Sequence, residues 1–209
     1  LLEKRKSLIF LFVSFSTLIS LLFVLKNIIF NEQKSFYKVQ KHKEVYELLN
    51  KANKFLLKID DRKLLFSNIC ELLSQTDKIQ FSFIYDLLSK EIIAQEGDLK
   101  QKLLTQSHYY SDKNKDNIIS KTIKWETNII ANDFLEKNIS IFYDKAKVLD
   151  IKSMACFPIK KFNKVIGTLA IYSKELNFFD QEVEILFNKL ISDVTHCLEK
   201  IDYEQIRLK

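Results

Sequence analysis

The chain has 209 residues, a formal net charge of +6 and three cysteines. Once any membrane segment is set aside, this length supports one domain with its own core. The lysines are spread along the whole chain and no aromatic–basic motif of a nucleic-acid reader is present, so nucleic acid is not predicted as a partner. The cysteines are odd in number, far apart and without a CxxC pair, which argues against a disulfide framework and a zinc site.

An apolar segment opens the chain after a basic flank at residues 1–6. Residues 8–25 carry no charge, and at about 1.5 Å per residue they nearly span a hydrocarbon core of about 30 Å. A signal peptide would have a shorter apolar region and an A-x-A-like cleavage site, which "NIIFNEQ" lacks. We therefore predict a single-pass transmembrane helix at 7–30 in the inner cell membrane. More lysines follow it than precede it, which places the remainder in the cytoplasm.

Residues 31–59 predict an amphipathic linker helix. Val45, Ala52 and Ile59 are seven residues apart, and further apolar residues fill the positions between them. This short heptad pattern is typical of a membrane-proximal dimer seam, with Val45, Leu49, Ala52 and Leu56 as its members. The same pattern also fits one amphipathic helix that packs on its own domain, and the sequence leaves both interpretations open.

The middle of the chain predicts alternating helices and strands. "DDRKLLFSNICELLSQT" reads as a helix that an aspartate caps, and "KIQFSFIYD" alternates as a strand does. "EIIAQEGD" predicts a second strand and "TNIIANDF" a third. Two short helices are expected at 99–105 and 117–125, and "FYDKAKVLDIK" is expected to be a helical link.

The C-terminal third predicts a hairpin and a long helix. Ser153–Lys160 and Val165–Tyr172 are apolar on both faces and flank the turn "KKFNK", so we expect two central strands of a covered sheet. Asp180 is the expected cap of the last helix. The helix has a second heptad-like seam and no stop signal before the last residue, and the first residue is not Met, so we expect the protein to continue at both ends. The seam consists of Val183, Phe187, Leu190, Val194, Cys197, Ile201 and Leu208.

The residues from about 50 to 201 resemble a GAF domain. In that family a Ser-x-x-x-x-Pro strand precedes a Gly-containing strand, and a Phe-Asp pair then opens a helix. Ser153, Pro158, Gly167, Phe179 and Asp180 match those places. The resemblance is strongest to GAF domains that precede diguanylate cyclase, phosphodiesterase or histidine kinase modules. It implies an α+β fold, an antiparallel sheet of five or six strands with helices on both faces, and a pocket for a small ligand.

One segment departs from the family pattern. Relatives usually carry glycine and alanine in the helix before the third strand, and "DNIISKTIKWETNII" has neither. The departure predicts either a rebuilt cover over the pocket or a filled pocket. We place six residues near the pocket, although ordinary core packing would explain them equally: Phe83, Tyr85, Trp125, Phe142, Met154 and Cys156.

The sequence offers few residues for the catalytic and cofactor-binding functions that some GAF domains have. His196 and Cys197 fit helix packing better than bilin attachment, and haem would need an axial histidine such as His108. Some GAF proteins reduce methionine sulfoxide with closely placed cysteines, whereas Cys70, Cys156 and Cys197 fall on three different elements. The cofactor is left open.

The combined reading is a non-catalytic sensory module in bacterial signal transduction. Residues 60–201 form the GAF-like domain and residues 202–209 begin a connector helix to an output domain. A small ligand or a transmembrane signal would act on the terminal helices. The membrane, a second copy of the chain and a small molecule are the expected partners. A ligand-free dimerising spacer is the first alternative, and a GAF-type methionine sulfoxide reductase is the second.

Overall fold

The computed structural model describes residues 2–97, 117–133 and 147–207, with side chains from residue 14 onward. The chain forms two compact units, residues up to Lys43 and residues from Glu44 onward. Helix α1 runs from Leu2 to Leu56 and contributes to both units. The predicted transmembrane and linker segments are therefore one helix. No glycine or proline lies in this part of the sequence to break it.

The first unit consists of the N-terminal part of α1. Its described side chains from residue 14 to residue 40 are exposed, and many of them are large and apolar. Phe15, Phe23 and Phe30 are each 64 % exposed. By length and composition the helix can cross a membrane.

The second unit is built on a five-stranded antiparallel sheet with the strand order β2-β1-β5-β4-β3. The elements that the structure describes follow the order that the sequence predicts, and the last 13 residues of α1 belong to this unit. In chain order these elements are α2 Arg62–Ser74, β1 Ile79–Asp86, β2 Glu91–Gly97, α3 Ile118–Trp125, β3 Ile129–Ala131, β4 Ser153–Lys161, β5 Lys164–Ser173 and α4 Gln181–Arg207.

The helix starts follow local capping rules. Asp61 Oδ1 accepts a hydrogen bond from the Leu64 amide at 2.7 Å, and Asp180 Oδ1 accepts one from the Val183 amide at 3.1 Å. Asp180 is the cap that the sequence predicts, and of the two candidates Asp60 and Asp61 for the first cap the structure selects Asp61. Asn117 caps α3 in the same way, with a distance of 2.9 Å to the Ser120 amide.

Strand β3 is shorter than the predicted segment "TNIIANDF". It ends before Asn132, whose side chain pairs with both backbone groups of Phe179, at 2.9 Å and 3.0 Å. Asn132 thereby holds the segment that leads into α4 next to the end of β3. The predicted helix at 99–105 lies outside the described residues, as do residues 142–146 of the predicted helical link at 142–152.

The sheet separates two hydrophobic clusters. One cluster joins the last turns of α1 with α2, α4 and one face of the strands. We call this side of the sheet the terminal-helix face. The other cluster lies between the opposite face and α3, and we call that side the α3 face. Strands β4 and β5 are thus buried on both faces, which confirms the prediction from their apolar sequences.

Candidate functional site

Three rows of side chains cross the α3 face of the sheet. They follow from the strand register, because directly opposed residues of antiparallel strands point to the same side. The first row is Phe81, Tyr172, Met154 and Ala131; the second is Phe83, Ala170, Cys156 and Ile129; the third is Tyr85, Thr168 and Pro158.

Aromatic rings dominate one half of this face. The Phe83 and Tyr172 rings stack with their centroids 6.2 Å apart, and Phe81 lies 5.6 Å from Phe83. Ala170 stands between Phe83 and Cys156 in the second row, and it is the smallest side chain there. Ala170 therefore takes up the least side-chain volume in this row, with an aromatic ring on one side and a thiol on the other.

A small cluster of polar side chains lies beside Ala170. Cys156 and Thr168 are diagonal neighbours on β4 and β5, and Thr122 reaches the same thiol from α3. Neither threonine side chain is exposed, and both hydroxyls lie in hydrogen-bond contact with the Cys156 thiol. The three groups thus form one buried, uncharged polar cluster on the α3 face.

The Cys156 thiol is neutral at physiological pH. Burial raises its pKa to about 11, and the two neighbouring threonine hydroxyls oppose that rise only in part. Burial and the charge of Asp86 also raise the pKa of Tyr85. The polar groups of the α3 face are thus uncharged hydrogen-bonding groups, and Cys156 lacks the thiolate character of a nucleophile.

The structure brings four of the six predicted pocket residues together. Phe83, Tyr85, Met154 and Cys156 all lie in the cluster on the α3 face. Trp125 does not join them: it is the last residue of α3 and is 57 % exposed, because the helix turns its opposite side toward the sheet. Phe142 lies outside the described residues.

The predicted dimer seam lies inside the domain. Nine of the predicted seam residues are at most 6 % exposed within one chain, because α1 and α4 pack against the sheet and against each other. Within one chain these side chains pack in the core of the domain itself, as one amphipathic helix on its own domain would place them, and the dimer stays a prediction. They are Val45, Leu49, Ala52, Leu56, Val183, Phe187, Leu190, Val194 and Ile201.

The three cysteines do not form a reactive pair. All are free and buried. Cys70 and Cys197 belong to the terminal-helix face, whereas Cys156 belongs to the α3 face on the other side of the sheet. Within the described ranges no group of three His, Cys, Asp or Glu side chains could hold a metal ion, and His108 falls outside those ranges.

Sequence reasoning missed the residues that give the α3 face its polar character. Thr122 and Thr168 each look like an ordinary β-branched residue, one in a helix and one in a strand. The available signal was alternation: Thr168 has the parity of Ala170 and Tyr172, so it shares their face. The position of Thr122 over β4 and β5 depends on how α3 packs, which the sequence does not reveal.

Solved structures similar to this chain are GAF domains and GAF-fold enzymes. The GAF domain of a phosphoenolpyruvate-protein phosphotransferase (ptsP) from Coxiella burnetii is 12 % identical, with a TM-score of 0.63 over 79 % of this chain and 98 % of that chain. A free methionine-R-sulfoxide reductase from Neisseria meningitidis, in complex with its substrate, is 13 % identical, with a TM-score of 0.62 over 79 % and 93 %.

A third similar structure is the GAF domain region of a candidate membrane protein from Geobacter sulfurreducens. It is 15 % identical, with a TM-score of 0.55 over 66 % of this chain and 92 % of that chain. No family model matches the sequence, and no curated protein matches it. At these identities the likeness concerns the fold: the second unit has the GAF fold, in which sensor domains and sulfoxide reductases are similarly close.

Proposed function

We propose that this chain is a non-catalytic sensory module of bacterial signal transduction, anchored in the membrane by α1. In this proposal a small ligand on the α3 face, or a signal carried by α1, changes the packing of the terminal helices. The helices then pass the change to an output domain for cyclic-di-GMP turnover or to a histidine kinase. A ligand can drive such a change only if it binds the two packings with different affinity.

The observation that carries this proposal is the shared core of the two terminal helices. The last turns of α1 and most of α4 lie in one cluster on the terminal-helix face. The Cys197 thiol donates a hydrogen bond to the Leu56 carbonyl at 3.4 Å, so the two helices touch directly. A displacement of one helix must therefore be accommodated by the other, since close-packed interiors do not deform continuously.

An ion-pair network supports the same coupling. The Lys78 ammonium lies 2.9 Å from the Glu175 carboxylate, in the loop before α4, and 3.7 Å from the Glu44 carboxylate on α1. The Lys78 side chain is only 14 % exposed, so the pair with Glu175 is less screened than a surface pair. Lys78 thus ties α1 to the segment that leads into α4.

Membrane anchoring rests on the exposed apolar side chains of residues 14–30. A soluble protein rarely leaves so large an apolar surface in water. The similar GAF region of the Geobacter candidate membrane protein is in keeping with such an arrangement. We expect the full chain to stay with the membrane pellet after washing at high salt and at alkaline pH, and to need detergent for release. Release by either wash would contradict anchoring by α1.

The relay is tested with paired spin labels. Asn50→Cys on α1 and Ser192→Cys on α4 place labels at exposed positions, while the three native thiols stay buried. The full chain in lipid nanodiscs is first screened against metabolites and nucleotides for thermal stabilisation, since a ligand of the folded state raises the melting temperature. We expect a stabilising compound to change the distance between the labels. A pair on α4 alone, Asn188→Cys with Ser192→Cys, is the control and should not change.

The ligand-free spacer makes the opposite prediction. It requires that no compound in the screen raises the melting temperature while the chain remains a dimer by light scattering. A dimer would have to use surfaces other than the nine buried seam residues.

The reductase alternative is favoured by the similar Neisseria enzyme and disfavoured by the buried, dispersed cysteines. Any reduction of free methionine sulfoxide by the full chain should then be unaffected by Cys156→Ala and Cys70→Ala. Activity that is present in the parent chain and lost in either variant would establish thiol catalysis and overturn the non-catalytic proposal.

A further inference from the structure

Residues 174–180 connect β5 to α4, and this connecting segment is held from two sides of the domain. On one side, the ion pair of Lys78 with Glu175 links it to α1. On the other side, it is hydrogen-bonded to the end of β3, the edge strand of the sheet that contacts α3. Contacts from α1 and contacts from β3 therefore meet in the connecting segment, directly before α4.

Asn132 makes three hydrogen bonds to the connecting segment. Its carbonyl accepts from the Asn177 amide at 3.1 Å. Its side-chain amide donates to the Phe179 carbonyl at 2.9 Å and accepts from the Phe179 amide at 3.0 Å. A side chain needs both a donor and an acceptor to pair with the two backbone groups at once, and asparagine has both. Because the Phe179 side chain is buried in the terminal-helix cluster, Asn132 fixes the position of a residue that belongs to the core beside α4.

Asn128, which precedes β3, is bonded to α4 itself. Its side-chain amide donates to the carboxylate of Glu184 in the first turn of α4. β3 comprises only Ile129–Ala131, and among the described strands it pairs with β4 alone, so few ladder bonds hold it in the sheet. A short edge strand can shift without disrupting the rest of the sheet, and the two asparagines would carry such a shift to the start of α4.

Helix α3 leads directly into this strand. Glu126 ends the helix in the left-handed conformation, with a φ of 53°, and its carboxylate lies 3.3 Å from the Lys160 ammonium of β4. Ile118 and Ile119 are buried between α3 and the α3 face of the sheet. A change in how α3 packs on the sheet therefore acts on β3 through a connection of three residues, 126–128.

We propose that Asn132 is a positioning residue that couples the packing of α3 to the start of α4. This inference rests on the proposed sensory function and gives it a second input, which runs through β3 and is separate from the input of α1 through Lys78. A signal that moves α3 shifts β3, Asn132 transfers the shift to Phe179, and the connecting segment passes it to α4. Each input thereby biases the same element, the start of α4, which is the physical requirement for coupling.

Amide hydrogen exchange, measured by mass spectrometry on the full chain in lipid nanodiscs, tests the coupling. Ile119→Val removes one buried methyl group from the contact of α3 with the sheet, and it should speed exchange within α3 about threefold. We expect residues 181–188 at the start of α4 to exchange at least about twofold faster as well, because Asn132 transmits the loosening. Helix α2 packs on the terminal-helix face and is the internal reference, whose exchange should not change.

The decisive comparison repeats Ile119→Val in two further backgrounds. With Asn132→Ala, Ile119→Val should still speed exchange in α3 but should no longer change it in α4. Lys78→Met is the matched control, since it loosens the connecting segment from the α1 side, and both responses should persist with it. Asn128→Ala leaves Asn132 in place and is the second variant if Asn132→Ala does not fold; it should weaken the response of α4. Melting curves check that each variant is folded.

Three outcomes would overturn the role of Asn132. An unchanged response of α4 in the Asn132→Ala background would mean that another contact carries the coupling, and no response of α4 to Ile119→Val alone would mean that α3 and α4 are not coupled. Equal acceleration of α4 and α2 would show a general loss of stability instead of a directed coupling. In all three cases the sensory proposal keeps its input through α1, and the spin labels on α1 and α4 test it separately.

Discussion

The two faces of the sheet are built from the same strands, but they differ in the helices that cover them and in the polar side chains that they bury. On the terminal-helix face, three helices cover the strands with a continuous apolar cluster, and the buried Ser82 hydroxyl has a partner. On the α3 face, one short helix is described above aromatic rows, and two buried threonine hydroxyls contact the Cys156 thiol. The first face is a continuous apolar core, whereas the second buries a small polar cluster among aromatic rings.

This contrast assigns different tasks to alternate residues of one strand. Along β5, Leu169 and Ile171 face the terminal helices, whereas Thr168, Ala170 and Tyr172 face α3. Because side chains of a strand alternate between faces, stability and ligand recognition can be changed separately by neighbouring positions. Three substitutions and one pH dependence test this difference between the two faces. In each case the free energy of unfolding is measured on the full chain in mild detergent.

The largest effect is expected from Phe187→Ala on the terminal-helix face. Phe187 is fully buried in α4, with ring centroids 5.6 Å from Phe157 and 6.0 Å from Phe179. The lost contacts and the cavity should lower the free energy of unfolding by about 4 kcal/mol in urea titrations. Ile185→Ala on the same helix is the control, since Ile185 is 58 % exposed and should cost far less. Similar losses in the two variants would show that this face is not the core.

Gly167→Ala should be the next most damaging change, because it disturbs both faces. A Cβ at this position would lie 2.4 Å from the Tyr85 carbonyl oxygen, so β5 and β1 would have to separate. We expect a loss of about 3 kcal/mol, the range found for overpacked sites. Lys164→Ala, at the exposed start of β5, is the control and should change little. Normal stability of Gly167→Ala would contradict the close approach of the two strands.

The Cys156 thiol predicts how stability depends on alkaline pH. Its pKa is about 11 in the folded chain and near 9.0 ordinarily, so the folded state holds the proton more tightly. The resulting stabilisation is fully present below pH 9 and is lost as the pH rises through 11. Relative to Cys156→Ala, the parent chain should lose about 2 kcal/mol over that window. Parallel profiles of the two proteins would mean that the thiol is less buried than the α3 face requires.

The smallest effect is expected from Thr168→Val, which replaces the hydroxyl by a methyl group of the same shape. The hydroxyl contacts only a neutral thiol, a weak hydrogen-bonding group, so the free energy of unfolding should fall by less than about 1 kcal/mol. Ser153→Ala is the matched case on a hydroxyl that donates to a carbonyl, and it should lower the free energy of unfolding by about 1 kcal/mol, because the Glu175 carbonyl loses its donor. A larger loss in Thr168→Val than in Ser153→Ala would show that the polar cluster on the α3 face is held by a stronger partner than the thiol.

Local chemistry made much of the fold predictable from the sequence. Asp61 and Asp180 cap the helices that they were expected to cap. The hairpin turn falls at Phe162 and Asn163, both with positive φ, which is the geometry of a two-residue turn between twisted strands. Both features depend on residues within a few positions of each other, and the GAF resemblance of the last third rests on the same segment.

The sequence by itself determined the type and order of the described elements and the burial of β4 and β5 on both faces, since periodicity and capping are local properties. Only the tertiary structure decided which partner an apolar stripe meets. The heptad pattern from Val45 to Leu56 suits a second copy as well as the chain's own α4, and the fold places it in the domain core. The packing of α3 on the sheet likewise leaves Trp125 exposed and brings Thr122 beside Thr168, because contacts between distant segments depend on how whole elements pack.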